Sequence, residues 1–152
     1  MEQPLRTLLL GGLMKTMTVL STAVPAFAKE ITVTVEEIDT ERPGHIMVML
    51  YSEDGFPKDH AKALSTQTQS VTTGSNTMRF RFTVEKDNFA IKILHDENMD
   101  GEVSKNWTGI IPSEGLGFSN GAKLGFGPPS YRDAVLNTDE VGKEIAIPII
   151  YP

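Results

Sequence analysis

Hydrophobic and polar positions alternate with a period of two over most of the chain after residue 28. The cleanest case is Met78–Val84 (MRFRFTV). Met78, Phe80, Phe82 and Val84 fall on one side and Arg79, Arg81 and Thr83 on the other, the pattern of a half-buried strand. Ile31–Val35 (ITVTV) alternates in the same way, and Phe89–His95 (FAIKILH) sets Phe89, Ile91, Ile93 and His95 in phase. His45–Tyr51 (HIMVMLY) is apolar on both faces, which suits a central strand, and Glu144–Tyr151 (EIAIPIIY) closes the pattern. Pro148 has no N–H to donate, so that last strand belongs at an edge or a bulge. Weaker strands are expected at 66–73 and 134–138, and a short helical turn at 58–64 behind Asp54-Gly55-Phe56-Pro57. Turn residues at 42–44, 73–76 and 86–88 separate these segments. About seven strands with turns between them predict an all-β domain, a single antiparallel β-sandwich.

The first 28 residues break this rule. Glu2, Arg6 and Lys15 are their only charges, 8–10 and 17–24 are apolar, and Ala26-Phe27-Ala28 offers small residues around a cleavage point before Lys29-Glu30. That is the pattern of a secretory signal peptide, so the expected organisation is 1–28 signal and 29–152 β-domain, exported to the periplasm or secreted. No later segment approaches the ~20 apolar residues of a membrane span. Cleavage removes one acid and two bases, moving the net charge from −6 to −7. An acidic chain without clustered Lys and Arg argues against nucleic acid as a partner. Zero cysteines exclude thiolate zinc sites, thiol catalysis and iron–sulfur chemistry.

Periodicity stops at His95–Arg132 (HDENMDGEVSKNWTGIIPSEGLGFSNGAKLGFGPPSYR), a long Gly/Pro-rich loop. Loops of this length in small domains are usually functional, and its large apolar residues argue against disorder. It opens with D-x-N-x-D-G: Asp96, Asn98, Asp100 and Gly101. Oxygen ligands at alternate positions before a glycine can wrap a hard cation such as calcium. Counting from Asp96, Glu102 would offer its carbonyl at position 7 and Ser104 a hydroxyl or water at 9, but position 12 is Trp107, not an acid. The segment follows a strand, so it is no EF-hand; Glu97, Glu102 or Glu114 would have to supply the missing carboxylate. The competing reading is an ion-free Asx-turn, with Asp96, Asn98 and Asp100 bonding their own backbone amides.

The segments HDENMDGE, GIIPSEGLGFSN and GFGPPSYRDA, with YSEDGFP upstream, closely resemble the bacterial family filed as domain of unknown function 2141. The likeness runs from about Ile31 to Tyr151. It implies an exported domain with an immunoglobulin-like or transthyretin-like sandwich and an uncharacterised role, and it supplies neither substrate nor catalytic residues. The family pattern continues the aspartate-rich loop with an acid near the place of Ser104, where this chain has serine.

No residue set spells out a reaction. A triad of Ser119, His95 and Asp96 meets the difficulty that neighbours on a strand face opposite sides, and no serine lies in a Gly-x-Ser-x-Gly elbow. Glu114 with Asp96 or Asp100 would make a glycosidase pair only at a defined separation. The glycines of 115–121 lack the strand–turn–helix context of a phosphate loop. Trp107, Phe118, Phe126 and Tyr131 either fold back as a satellite core or, with His95, form a contact surface. The leading expectation is an exported non-enzymatic module binding a protein, peptide or saccharide through 96–133, with calcium as a possible ordering ion at Asp96, Asn98, Asp100, Glu102, Ser104 and Glu114. The alternatives are a small hydrolase or carbohydrate-active enzyme using His95, Asp96 or Glu114, and a purely structural accessory domain.

Overall fold

The computed structural model describes residues 28–152, so the expected signal peptide lies outside the described residues but for Ala28. Among the described residues the chain is mostly strand: β1 Lys29–Glu36, β2 His45–Tyr51, β3 Ser65–Ser70, β4 Met78–Val84, β5 Asn88–Asp96, β6 Leu116–Phe118, β7 Leu136–Asn137 and β8 Glu144–Pro148. Helix among these residues is confined to one turn, α1 Tyr131–Ala134, and two 3₁₀ turns at His60–Lys62 and Ser119–Gly121. The first of those turns lies inside the helical segment expected at 58–64.

The strands form two sheets. One has the order β4-β1-β8; the other runs β3-β2-β5-β6, with β7 also paired to β5. Alternation sets the register. Val33 lies opposite Phe80 in the β1–β4 pair and Ile93 opposite Val48 in β5–β2. The inward residues of both sheets meet in one core that includes Val33, Val35, Phe80 and Ile147 from the first and Ile46, Val48, Phe89 and Ile91 from the second. Each such side chain contributes about 1.5–3 kcal/mol when fully removed from water.

Three expectations change. Among the described residues there are eight strands rather than about seven, because the Gly-rich segment itself supplies β6. The assembly is not wholly antiparallel: β8 runs parallel to β1, with Val33 opposite Ile145. A parallel pair needs a long crossover, and here most of the chain lies between its two strands. The strand expected at 134–138 shrinks to Leu136–Asn137, because Ser130 and Asp133 form a capping box that starts α1 and holds Ala134 in it. Pro148 ends β8, an edge strand, where its missing N–H leaves no gap in a ladder.

β2 and β5 are buried on both faces. On the far side from the main core, Met49, Tyr51, Leu94, Leu116 and Phe118 form a second apolar cluster, with Met47, Phe56, Ala63, Val103 and Ala122 packed against it. The segments 52–64 and 97–134 supply that cover. Gly44 makes one joint of the arrangement: its φ is +105° and an added Cβ would collide with the Asp96 carbonyl. Only glycine satisfies both conditions.

Candidate functional site

The long loop leaves the sheet at β5, and its base is fixed by buried polar side chains. His95 is fully buried and sits on the core face with Ile93. Its Nε2 lies 3.0 Å from the Pro43 carbonyl and its Nδ1 2.7 Å from the Tyr151 hydroxyl. A carbonyl only accepts, so Nε2 carries the proton and Nδ1 accepts from Tyr151. Tyr151 in turn accepts from the Asp39 N–H at 2.9 Å. Arg42 stacks 4.7 Å above the Tyr151 ring and pairs with Glu97 at 2.7 Å and Asp39 at 3.1 Å. Burial pushes the Tyr151 hydroxyl pKa up. His95 is therefore a joint between the turn at 39–43 and the C-terminal segment, not part of a loop surface.

The next turn of chain is closed by its own carboxylates. Asp96, nearly fully buried, accepts from the N–H groups of Asp100 at 3.2 Å and Gly101 at 2.9 Å. Asp100 accepts from the Glu102 N–H at 2.8 Å and from the Asn98 amide at 2.8 Å, and that amide also reaches the Ser104 hydroxyl at 3.1 Å. Glu114 spans the neck of the loop, accepting from the Glu97 N–H at 2.9 Å with one oxygen and the Ser104 N–H at 2.8 Å with the other. Gly101 adopts φ +77° at the sharpest point of the turn. The carboxylates of Asp96, Asp100 and Glu114 thus point at backbone donors, and among the described residues no group of three or more His, Asp or Glu side chains is arranged to hold a metal ion. The Glu102 side chain takes part in none of these hydrogen bonds.

Beneath this turn lies a pair that sequence reasoning passed over. Lys92 is buried on the loop-covered face of β5, donating to the Pro57 carbonyl at 2.8 Å and to His60 Nε2 at 2.7 Å. His60 Nδ1 lies 2.6 Å from the Gly101 carbonyl, so it carries the ring proton and leaves Nε2 to accept from the lysine. Burial pulls the Lys92 pKa down to about 8, against a smaller upward pull from Glu102. Burial likewise pushes the neighbouring Tyr51 hydroxyl up to about 12. The one signal in the sequence was a lysine inside the apolar run AIKIL.

Beyond the neck the loop extends as a hairpin. Lys105 bridges Pro112, Ser113 N–H donates to the Ser104 carbonyl at 2.9 Å, and Asn106 N–H to that of Ile111 at 2.8 Å. Its tip is bare: Trp107 is 96% exposed, Ile110 74% and Ile111 53%. Phe126, farther on, is also fully exposed. The other two aromatic candidates pack instead. Phe118 is buried in β6 and Tyr131 is half-buried at the start of α1, both edge-on to Phe56 at ring separations of 6.2 and 5.9 Å. Phe118 therefore leaves the candidate contact surface: β6 pairing with β5 turns it into the second cluster.

The hydroxyl proposed for a triad is engaged elsewhere. Ser119 Oγ donates to the Ala134 carbonyl at 2.5 Å and accepts from the Ile91 N–H at 2.8 Å. His95, Asp96 and Glu114 have separate partners and share no hydrogen bond.

Two sheets on a common core, with one loop stapled at its neck and bare at its tip, define an all-β domain that displays an apolar hairpin. The chain belongs to the family described as an uncharacterized protein conserved in bacteria, domain of unknown function 2141, whose model matches residues 33–146. No curated protein and no solved structure matches it significantly. Among the described residues, no helix is long and apolar enough to cross a membrane.

Proposed function

We propose that this chain is an exported, non-enzymatic binding module that presents the hairpin tip Trp107–Ile111 to a protein, peptide or saccharide partner. The observation that carries this reading is the exposure of Trp107, Ile110 and Ile111 together on one tip. Exposed clusters of large apolar side chains mark contact sites in soluble proteins, and tryptophan is enriched among the residues that dominate binding energy. The test is a screen of peptide and oligosaccharide arrays with the native protein and with a Trp107→Ser, Ile110→Ser variant. The reading requires ligands that the variant loses. Ligands bound equally by both would overturn it, as would no ligand in either array.

The fold supports an immunoglobulin-like or transthyretin-like sandwich as the framework, because inward residues of both sheets enter one core. Export rests on the signal pattern of 1–28; N-terminal sequencing of the protein recovered outside the cytoplasm, beginning at Lys29, is its check.

The acidic turn is ordered by its own hydrogen bonds in this reading. A calcium ion would have to compete with backbone N–H groups for Asp96, Asp100 and Glu114. A melt in chelator and in millimolar calcium, with magnesium as control, separates the two: a calcium-selective rise in Tm would assign the turn to the ion instead. The hydrolase alternative needs His95, Asp96 and Glu114 to converge, and their hydrogen bonds run to unrelated partners. The purely structural alternative leaves the bare tip without a purpose.

A further inference from the structure

The outer face of the three-stranded sheet, remote in topology from the hairpin, carries chemistry of its own. An open cleft of about 550 Å³ is lined there by Thr32 of β1, Gln69 of β3, Arg79 and Arg81 of β4, Lys143, and Glu144 of β8. Three cations against one carboxylate form a local surplus on a chain whose net charge is −6. Arg79 and Arg81 stand two residues apart on one strand, so their side chains leave the same face roughly 7 Å apart.

Their starting points are held from both sides. β1 pairs Thr34 with Arg79 and Thr32 with Arg81. Across the other edge, the side-chain amide of Gln69 donates to the Arg79 carbonyl at 3.4 Å and that of Gln67 to the Arg81 carbonyl. The Lys143 carbonyl accepts from the Thr32 N–H at 2.7 Å. Glu144 turns one oxygen toward the Thr34 hydroxyl at 3.1 Å and Arg79 at 3.4 Å. Among the described residues, Arg81 and Lys143 have no ion pair.

We propose that this cleft binds a multivalent oxyanion bearing two closely spaced phosphate groups, gripped by Arg79, Arg81 and Lys143 with Thr32 and Gln69 as neutral donors. Guanidinium groups present paired donors that match phosphate oxygens, and charge-assisted bonds of this kind are about twice as strong as neutral ones. The surplus of cations over Glu144 matches a dianion or trianion better than a single carboxylate. The cleft is also larger than one phosphate requires. A free diphosphate and the repeating phosphates of a polymer share this chemistry.

Calorimetry of the purified protein with pyrophosphate, at ionic strength held constant with sodium chloride, tests the site. Saturable binding is expected. Arg81→Gln and Lys143→Gln should each weaken it about 5-fold, in line with one exposed charge-assisted contact. Glu144→Gln should strengthen it about 3-fold by removing the opposing charge, a gain that a damaged fold would not produce. Lys86→Gln, outside the cleft, should leave it unchanged. No saturable heat, equal binding by the Arg81→Gln/Lys143→Gln double variant, or weaker binding by Glu144→Gln would each overturn the proposal. A polyphosphate chain then serves as the second probe: tighter binding than pyrophosphate assigns the site to a polymer, and equal binding to a small anion.

Discussion

The two sheets share a core but treat their outer faces in opposite ways. On the five-stranded sheet, Met47, Met49, Tyr51 and Leu94 point away from the main core, and the segments 52–64 and 97–134 cover them. On the three-stranded sheet the corresponding positions are Thr32, Thr34, Arg79, Arg81 and Glu144, and they line or border an open polar cleft. The covered face can therefore hold Lys92 away from water, with a depressed pKa and two hydrogen bonds to loop residues. The open face keeps Arg79 in an exposed pair with Glu144, where solvent weakens the attraction. The same residue class is thus a structural strut on one face and an available charge on the other.

The largest effect should come from emptying the covered face. Phe118→Ala removes a buried ring from the second cluster and should cost about 3–5 kcal/mol in urea unfolding. Arg81→Ala on the open face should stay within about 0.5 kcal/mol of the native protein. Similar costs for the two variants would mean that the loops do not pack on the sheet as described.

Lys92 sharpens the contrast through pH. Its folded pKa, about 8, lies below the ordinary 10.5. Between these values the unfolded chain holds more protons than the folded one, so stability rises with pH across the window. The full gain is on the order of 3 kcal/mol, and below about pH 9 it is not yet opposed by Tyr51, whose raised pKa lowers stability as pH approaches and passes the ordinary tyrosine value. Melting curves from pH 7.5 to 10 should show the rise in the native protein and its loss in Lys92→Met. A native profile as flat as the variant's would place Lys92 in contact with solvent.

Much of this division was legible before any coordinates. MRFRFTV and ITVTV announce one wet face, and HIMVMLY announces two dry ones. FAIKILH reads as simple alternation, yet Ala90, Lys92 and Leu94 are buried as well, because the cover comes from segments far away in sequence. The parallel placement of β8 beside β1 was hidden for the same reason: period-two patterning fixes which face a residue takes, not which strand lies next to it. In the loop, D-x-N-x-D-G correctly marked a sharp turn at Gly101, whereas Glu114 meets that turn only through tertiary contact with Glu97 and Ser104. His60 stands too isolated in sequence to argue as a ligand, because its two partners, Lys92 and Gly101, are both distant in the chain.

A smaller effect is expected at the neck of the loop. Glu114→Ala leaves the N–H groups of Glu97 and Ser104 without their acceptor and should cost about 2 kcal/mol, within the range for stranded polar groups. Glu114→Gln keeps one carbonyl oxygen and should cost less. Amide hydrogen exchange at Glu97 and Ser104 should accelerate in the alanine variant while β4 stays protected. Unchanged exchange at both amides would remove Glu114 from the neck.

The smallest effect belongs to the tip, and there a null change in stability is the informative result. Trp107 is 96% exposed, so folding gives its ring almost nothing to lose. Trp107→Ser should shift unfolding by no more than about 0.5 kcal/mol. The chain has one tryptophan, so emission reports this position alone and should resemble that of a solvated indole, open to acrylamide quenching. A cost above about 1 kcal/mol, or a blue-shifted and shielded emission, would mean that the tip folds back on the domain. The hairpin would then be another part of the cover, like Phe118 and Tyr131, and the binding proposal would lose its surface. If the ring is solvated and dispensable for folding, the neck held by Asp96 and Glu114 carries a tip that contributes nothing to stability, and the binding proposal keeps its surface: a pre-ordered tip would lose less entropy on meeting a partner.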